Sequence, residues 1–326
     1  MQFPNSVFAQ ALTTNPRRLS SGAQMIAYYG NIALANIGFD YAANQNDAGT
    51  VVNFAKSSDP WFTVQCQDYG GCPSLQNQRI QIPANAAWGS YPAPNCGGCP
   101  SHGGFDAHMS VISADGGTEY DFWQADTFDP NASTFKPSQG VAIPISHSNG
   151  FFPLDGSWQG SATASDRALT AGVPMPQDFL SGTMAHALTL APPCVNGNSV
   201  FPAPSRAGDI CPGNQGLPNG ARVYLAMSDA AIQALSINQA AKIIYTAFAH
   251  YGAYITDVSG DSNWYLGGTF SALTWKLAGQ PDPWPAVGAA LGLPYSYGRY
   301  DLDLSFPPGL QNHLVVVDPC VTQQTC

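Results

Sequence analysis

The sequence predicts a mainly β protein: a single-domain β-sandwich or jelly roll with one or two short helices packed on it. Three observations carry that prediction. Between about residues 50 and 225 the chain is cut into brief runs of alternating or β-branched residues. Turn formers separate the runs, with 33 glycines and 27 prolines available to make them. One stretch interrupts them with a helical period. Short strands at regular spacing, punctuated by turn signals, are the pattern of sandwiches and jelly rolls.

Residues 20–40, SSGAQMIAYYGNIALANIGFD, open on serine caps and carry an apolar stripe at Met25, Ile26, Tyr29, Ile32 and Ala33. This predicts a short helix in an N-terminal arm spanning 1–45. From residue 50 the runs GTVVNFA, WFTVQC, RIQIPA, HMSVIS, TEYDFWQA, GVAIPIS, AHALTLA and ARVYLAM read as successive strands. NQAAKIIYTAFAHYG predicts a helix near 238–251, because Asn238 can cap it, apolar residues recur at Ala241, Ile244, Tyr245, Phe248 and Tyr251, and Gly252 ends it. AYITDVS, NWYLGG and HLVVVDPC then resume the strand pattern. Strands on both sides of this helix make 1–326 one domain, with 50–326 as the sandwich.

Charge excludes several functions. The chain carries 11 Lys and Arg against 21 Asp and Glu, a net charge of −10. Phosphate backbones and anionic membrane surfaces need clustered cations, so nucleic acid is excluded as a partner. Charged residues are only 10% of the chain, which limits self-repulsion in acid. That implies an acidic extracellular habitat and a flat stability curve between about pH 3 and 7. No apolar run approaches the roughly 20 residues of a membrane span. The opening MQFPNSVFAQALTTNPRR lacks a basic segment followed by an apolar one, so a secreted, monomeric protein is expected whose signal peptide is not in this sequence.

Eight cysteines fall into local pairs: Cys66 with Cys72, Cys96 with Cys99, Cys194 with Cys211, and Cys320 with Cys326. An even count at short spacings in Gly- and Pro-rich loops reads as disulfides formed in an oxidising compartment. The rival reading is a four-thiolate zinc site from Cys66, Cys72, Cys96 and Cys99. No second Cys-x-x-Cys supports it, and neither metal nor cofactor is expected.

The densest chemistry lies in HMSVISADGGTEYDFWQA, residues 108–125. The turn ADGG separates two strands, and alternation places Glu119, Asp121 and Trp123 on one face. Setting Ser113 opposite Thr118 puts Ser110 across from Asp121 and His108 across from Trp123, a register that a slip of one residue would undo. Asp106 lies two residues before His108 on the same face and can orient its ring. The expected site is therefore Asp121 as chief carboxylate, His108 as proton shuttle, and Glu119 or Asp106 assisting, on a concave sheet face. A carboxylate pair and an imidazole beside an indole suit glycan cleavage. The competing structural reading is a solvated sheet face or histidines satisfied by neighbours. His186, which starts another apolar strand, is expected beside His108, and the pair with Asp121 would also make a three-ligand metal site. Trp123, Gln124, Trp264, Tyr265 and Trp158 complete the expected sugar-holding set, the last three lying among turn residues.

The string Glu119-Tyr-Asp121-Phe-Trp-Gln124 resembles the Glu-x-Asp-x-x-Glu strand of laminarinase-type, concanavalin-like jelly-roll glycanases. That likeness implies a nucleophile at Glu119 and an assisting acid at Asp121. The acid/base position is occupied by Gln124, which cannot donate as an acid. The strings TASDRALTAGVP, HALTLAPP, LPNGARVYL and AAKIIYTAFAHYGAYITDVSGDSNWYL, with the hairpin itself, also resemble a group of uncharacterised secreted bacterial proteins. This second likeness implies that the hairpin, His186 and DVSGDSNWY belong to one architecture.

The function expected from the sequence is a secreted enzyme, hydrolase or lyase, acting on an extracellular polysaccharide. A neutral glycan is favoured because few Lys or Arg are present to neutralise a substrate carboxylate. The alternatives are a secreted acid peptidase of the glutamic type, using an acid with Gln124, and a noncatalytic carbohydrate-binding or envelope protein.

Overall fold

The structure is a computed structural model, and it describes residues 3–30, 49–68, 70–89, 106–155, 157–205, 208–259, 264–296, 299–300 and 309–326. The chain is mainly sheet with short helices between the strands. A four-stranded sheet has the order Val52–Phe54, Met109–Ile112, Thr118–Trp123, Gln139–Pro144. A five-stranded sheet has the order Tyr265–Leu266, Leu188–Ala191, Ala253–Ile255, Arg222–Leu225, Leu314–Val316. The strands Arg79–Gln81, Trp61–Val64 and Thr134–Phe135 form a third sheet, and Tyr295–Ser296 pairs with Arg299–Tyr300.

Each predicted strand run holds a strand, but the sheets are mixed. Val52–Phe54 runs parallel to Met109–Ile112, Ala253–Ile255 to Leu188–Ala191, and Trp61–Val64 to Thr134–Phe135. A parallel pair needs a crossover rather than a tight turn. In the first of these, the connection contains the strands Trp61–Val64 and Arg79–Gln81 of the third sheet. No closed barrel exists among the described residues.

The expectation of one or two helices is corrected to seven α-helices among the described residues. Six of them have eight residues or fewer, too short for an apolar period to declare itself. The N-terminal helix covers Gly22–Tyr28, and the rest of its predicted span lies outside the described residues. Gln239–His250 is the longest. The Asn238 side chain accepts from Ala241 N at 2.8 Å, and the helix stops at Gly252, whose φ is +74°. A Cβ there would lie 2.7 Å from Val223 O, so both the turn and the close approach to the neighbouring strand require glycine.

Both faces of the four-stranded sheet are covered. On one, Met109, Val111 and Phe122 pack against Phe62, Val64, Ile80 and Phe135 of the third sheet. Phe122 meets Phe135 edge to face at 4.9 Å, and burying each such ring stabilises the fold by about 1.5–3 kcal/mol. On the other, Val141 and Ile143 join Tyr254 of the five-stranded sheet, and Ala187 just before its strand Leu188–Ala191, through Phe8 and Phe151. Glu119 and Asp121 share this second face, so the solvated-face alternative for them does not hold.

Cys66–Cys72, Cys194–Cys211 and Cys320–Cys326 are disulfides. Cys96 and Cys99 lie outside the described residues. Oxidation of Cys66 and Cys72 removes the four-thiolate zinc alternative. No helix among the described residues is long and apolar enough to cross a membrane.

Candidate functional site

The hairpin adopts the expected register. Ser113 N donates to Thr118 O at 2.9 Å, Ser110 pairs with Asp121 and Ile112 with Glu119. The ladder ends at Met109 opposite Phe122, and His108 bridges to Gly89 on its other side, so the expected pairing of His108 with Trp123 is not part of it.

The two carboxylates face inward, onto the segment that follows Arg167. Leu169 N donates to Asp121 Oδ2 at 2.7 Å. Thr170 N donates to Glu119 Oε1 at 3.0 Å, and Thr170 Oγ1 donates to Glu119 Oε2 at 2.6 Å. Glu119 and Asp121 are both 0% exposed. The open trough expected at these carboxyls is therefore absent, because the loop that supplies their hydrogen bonds also seals them from any polymer. Burial, reinforced by the charge of Glu119, drives the Asp121 carboxyl well above the usual carboxylate range, against the opposing pull of Leu169 N–H. Asp121 Oδ1 has no hydrogen-bond partner. A buried acid with few donors and an anionic neighbour favours its neutral form.

At the end of the hairpin the burial changes. Asp106 is exposed, and its Oδ1 accepts from Trp123 Nε1 at 3.1 Å. His108 is partly buried, and no described residue hydrogen-bonds its ring. Asp257, two residues beyond the strand Ala253–Ile255, is also partly buried. Burial pushes its carboxyl up, His108 and Arg167 pull it back, and Asp106 adds to the rise. Arg167 is held by its own loop: Nη1 donates to Ala168 O at 2.8 Å, Leu169 O at 3.0 Å and Ala171 O at 2.9 Å. Its guanidinium is desolvated and feels Asp257 first, then Asp121 and Glu119. Four separate segments thus contribute groups that feel one another's charge: Asp257 feels His108, Asp106 and Arg167, and Arg167 feels Asp257, Asp121 and Glu119. Their exposure falls from Asp106 to the sealed pair Asp121 and Glu119.

Sequence reasoning missed Arg167 and Asp257. The signal was the scarcity of cations: with 11 Lys and Arg in the chain, an arginine set among small and apolar residues, SDRALTAG, announces burial and a need for anions nearby.

The other expected residues scatter. His186 belongs to the approach to Leu188–Ala191 in the five-stranded sheet, whereas His108 precedes a strand of the four-stranded sheet, so the two are not sheet neighbours. His186 is buried, with Nδ1 2.8 Å from Ala187 O and Nε2 3.4 Å from the Asp178 carboxylate that caps the helix Pro176–Leu180. The three-ligand metal alternative goes with it, and no cluster of three such ligands stands together among the described residues. Trp264 is a core residue, 1% exposed, with Tyr29 edge-on at 4.9 Å. Gln124 is buried in a left-handed backbone conformation, and its Oε1 accepts from Ser138 Oγ at 2.6 Å. Glu119, bonded to Thr170, is not among the hydrogen-bond partners of Gln124. Tyr265 is partly buried at the edge of the five-stranded sheet beside Ala191. Trp158 is exposed but lies over Gly70, in the loop closed by Cys66 and Cys72. Of the expected sugar-holding set, Trp123 alone is placed at the His108 end by a bond to one of the other site residues.

An open depression of about 890 Å³ lies elsewhere, lined by Gln65, Gln67, Asp68, Thr127, Asn131 and Lys136 among others. None of the expected site residues lines it.

No protein-family model, curated protein or solved structure matches the chain.

Proposed function

We propose that the chain is a secreted enzyme that cleaves an extracellular polysaccharide, with its reacting groups at His108 and Asp257. The observation that supports this reading is that Asp257 feels the charges of His108 and Arg167, groups from three distant segments, and that Arg167 also feels the sealed carboxyl pair. Stability alone disfavours such an arrangement, because desolvated charges cost more than well-packed apolar residues in their place. Asp257 and Arg167 have displaced titration, and such groups beside an imidazole are the usual equipment of acid–base catalysis. His108 has a ring free of hydrogen bonds to described residues, and it serves as proton acceptor. Asp257, whose burial favours the protonated form, serves as donor. Trp123, steadied by Asp106, offers an indole face to a sugar ring. Asp121 and Glu119 become positioning residues, since neither reaches solvent.

In this reading the layered sheets form a sandwich-like unit that works as a single domain, a monomer, and the disulfides suit export. The test is a polysaccharide panel and denatured casein, incubated at about pH 3 to 7, with new reducing ends, unsaturated sugar absorbance and new amines as readouts. Polysaccharide cleavage is expected, lost in His108→Gln and Asp257→Asn at unchanged melting temperature. Amine release alone would make the chain a peptidase. Silence in every channel would make it a binding protein. Either result overturns the proposal.

A further inference from the structure

The least satisfied charge at the site is Arg167. A guanidinium carries five N–H donors in a fixed planar fork. Nη1 is spent on the carbonyls of Ala168, Leu169 and Ala171. Nε is buried with no hydrogen-bond partner, and none of the described residues takes up Nη2. The nearby acids do not fill this edge. Asp121 and Glu119 are engaged by Leu169 and Thr170, while Asp257 accepts from Val258 N at 2.9 Å. Arg167 thus feels three carboxylates through space yet makes no ion pair with any of them.

The Nε–Nη2 edge is the one that grips a carboxylate with two parallel hydrogen bonds. Here its plane is pre-set, because Nη1 pins the group to its own loop; Nε has no accessible surface, and the surface that Arg167 keeps leaves Nη2 as the donor a carboxylate reaches first. A buried donor left without a partner calls for a ligand or a water.

We infer that Arg167 binds the carboxylate of an acidic sugar, so that the substrate is a uronate-containing polysaccharide. This rests on the enzyme reading above, and it reverses the preference for a neutral glycan that cation scarcity suggested. One positioned fork does what a general excess of cations does not. It also selects the reaction. With the carboxylate clamped, the hydrogen on the adjoining ring carbon becomes acidic. The His108 ring takes that proton, and the released electron pair forms a carbon–carbon double bond to the neighbouring ring carbon. The glycosidic carbon–oxygen bond on that neighbour breaks, and the departing oxygen receives a proton from Asp257. The products are a shortened chain and an unsaturated uronate, with no oxidant, reductant or water consumed.

Two measurements separate this proposal from the reading it rests on. The first needs no turnover: thermal unfolding of the wild-type protein with oligomers of galacturonate, glucuronate or mannuronate, each beside its carboxyl-reduced neutral counterpart. At least one oligouronate is expected to raise the melting temperature while its reduced form does not. The second is cleavage of the matching polymers, followed by unsaturated uronate absorbance and by reducing ends. Arg167→Lys keeps the charge and loses the fork, and it is expected to weaken oligouronate binding and raise KM by about 10–100-fold, the worth of a charge-assisted hydrogen bond. Arg167→Gln is expected to do at least as much. If Arg167→Gln does not fold, the lysine variant and the wild-type shifts decide. Equal shifts with uronate and reduced oligomers, or no shift with any oligouronate, overturn the carboxylate site. Cleavage of neutral glycans with reducing ends but no unsaturated product also overturns it and leaves the enzyme reading standing. A uronate-specific shift that Arg167→Lys abolishes, without turnover of any polymer, supports the carboxylate site and removes the enzyme reading.

Discussion

Replacing Asp166 by asparagine isolates the cost of one buried charge. Asp166 precedes Arg167, is 4% exposed, and holds a left-handed backbone with φ +59°. Burial pushes its carboxyl from the ordinary value of 3.8 up to about 6, with Ser205 and Ser161 hydroxyls holding back part of the rise. In the unfolded chain the group titrates near the ordinary value. Below that pH both states are protonated and folding does not depend on this group. As pH rises from about 4 to about 6, the unfolded chain releases its proton first, so stability falls. Above about 6 both states are ionised and the full penalty is in place, about 3 kcal/mol for a shift of roughly two units. Asparagine is neutral throughout and tolerates the left-handed backbone. Urea unfolding at about pH 4 and pH 7 should therefore show Asp166→Asn gaining about 2–2.5 kcal/mol on the wild type between the two, since the unfolded carboxyl is already half ionised at the lower pH. Asp121 and Asp257 shift in the same direction. They tilt both curves and cancel in the difference. A difference that does not change with pH would refute burial as the cause. Against the flat stability curve expected from low charge density, the raised carboxyls of Asp121, Asp166 and Asp257 predict a contribution that falls as pH rises.

Three further outcomes follow from named contacts. Thr170→Val removes the hydroxyl that donates to Glu119 Oε2 at 2.6 Å and leaves a sealed carboxylate one donor short, so denaturant unfolding should show a loss of about 1–3 kcal/mol. Trp264→Ala should cost about 3–5 kcal/mol as a core truncation while leaving glycan affinity per folded molecule unchanged, whereas Trp158→Ala should stay within about 0.5 kcal/mol; calorimetry with a binding titration reads both. Replacing Cys194 and Cys211 together by serine opens a loop of sequence separation 17, for which a loss of about 3 kcal/mol is expected in chemical denaturation.

The strands were legible because alternation and turn residues are local signals, and the hairpin register followed from the four-residue turn that sets Ser113 against Thr118. What covers each face was not legible. Period two says that Glu119 and Asp121 share a side, and a polar side ordinarily meets water. Here it meets the backbone amides of Leu169 and Thr170, 48 and 51 residues away, and no local pattern announces a partner at that distance. Parallel pairing was hidden for the same reason, since two strands of another sheet, Trp61–Val64 and Arg79–Gln81, lie between Val52–Phe54 and Met109–Ile112 in the chain. Trp264 misled because turn residues around an aromatic signal a loop without saying which way the ring points, and Tyr29 draws it inward.

The loop after Arg167 explains why a sheet would carry two sealed acids at all. A buried segment of irregular backbone must have both its N–H and its C=O groups satisfied. At 168–171 the two needs are met from opposite sides. The strand Thr118–Trp123 accepts the donors of Leu169 and Thr170 with its carboxylates, and Arg167 donates to the carbonyls of Ala168, Leu169 and Ala171. Acids and guanidinium are therefore bound to the same few residues without touching each other, and each fixes the loop that fixes the other. Removing either charge would free the loop and, with it, the plane of the guanidinium. The interior carboxylates consequently bear on chemistry they never contact. They hold still the backbone that aims Arg167, and the direction in which Arg167 points decides what can bind beside His108 and Asp257.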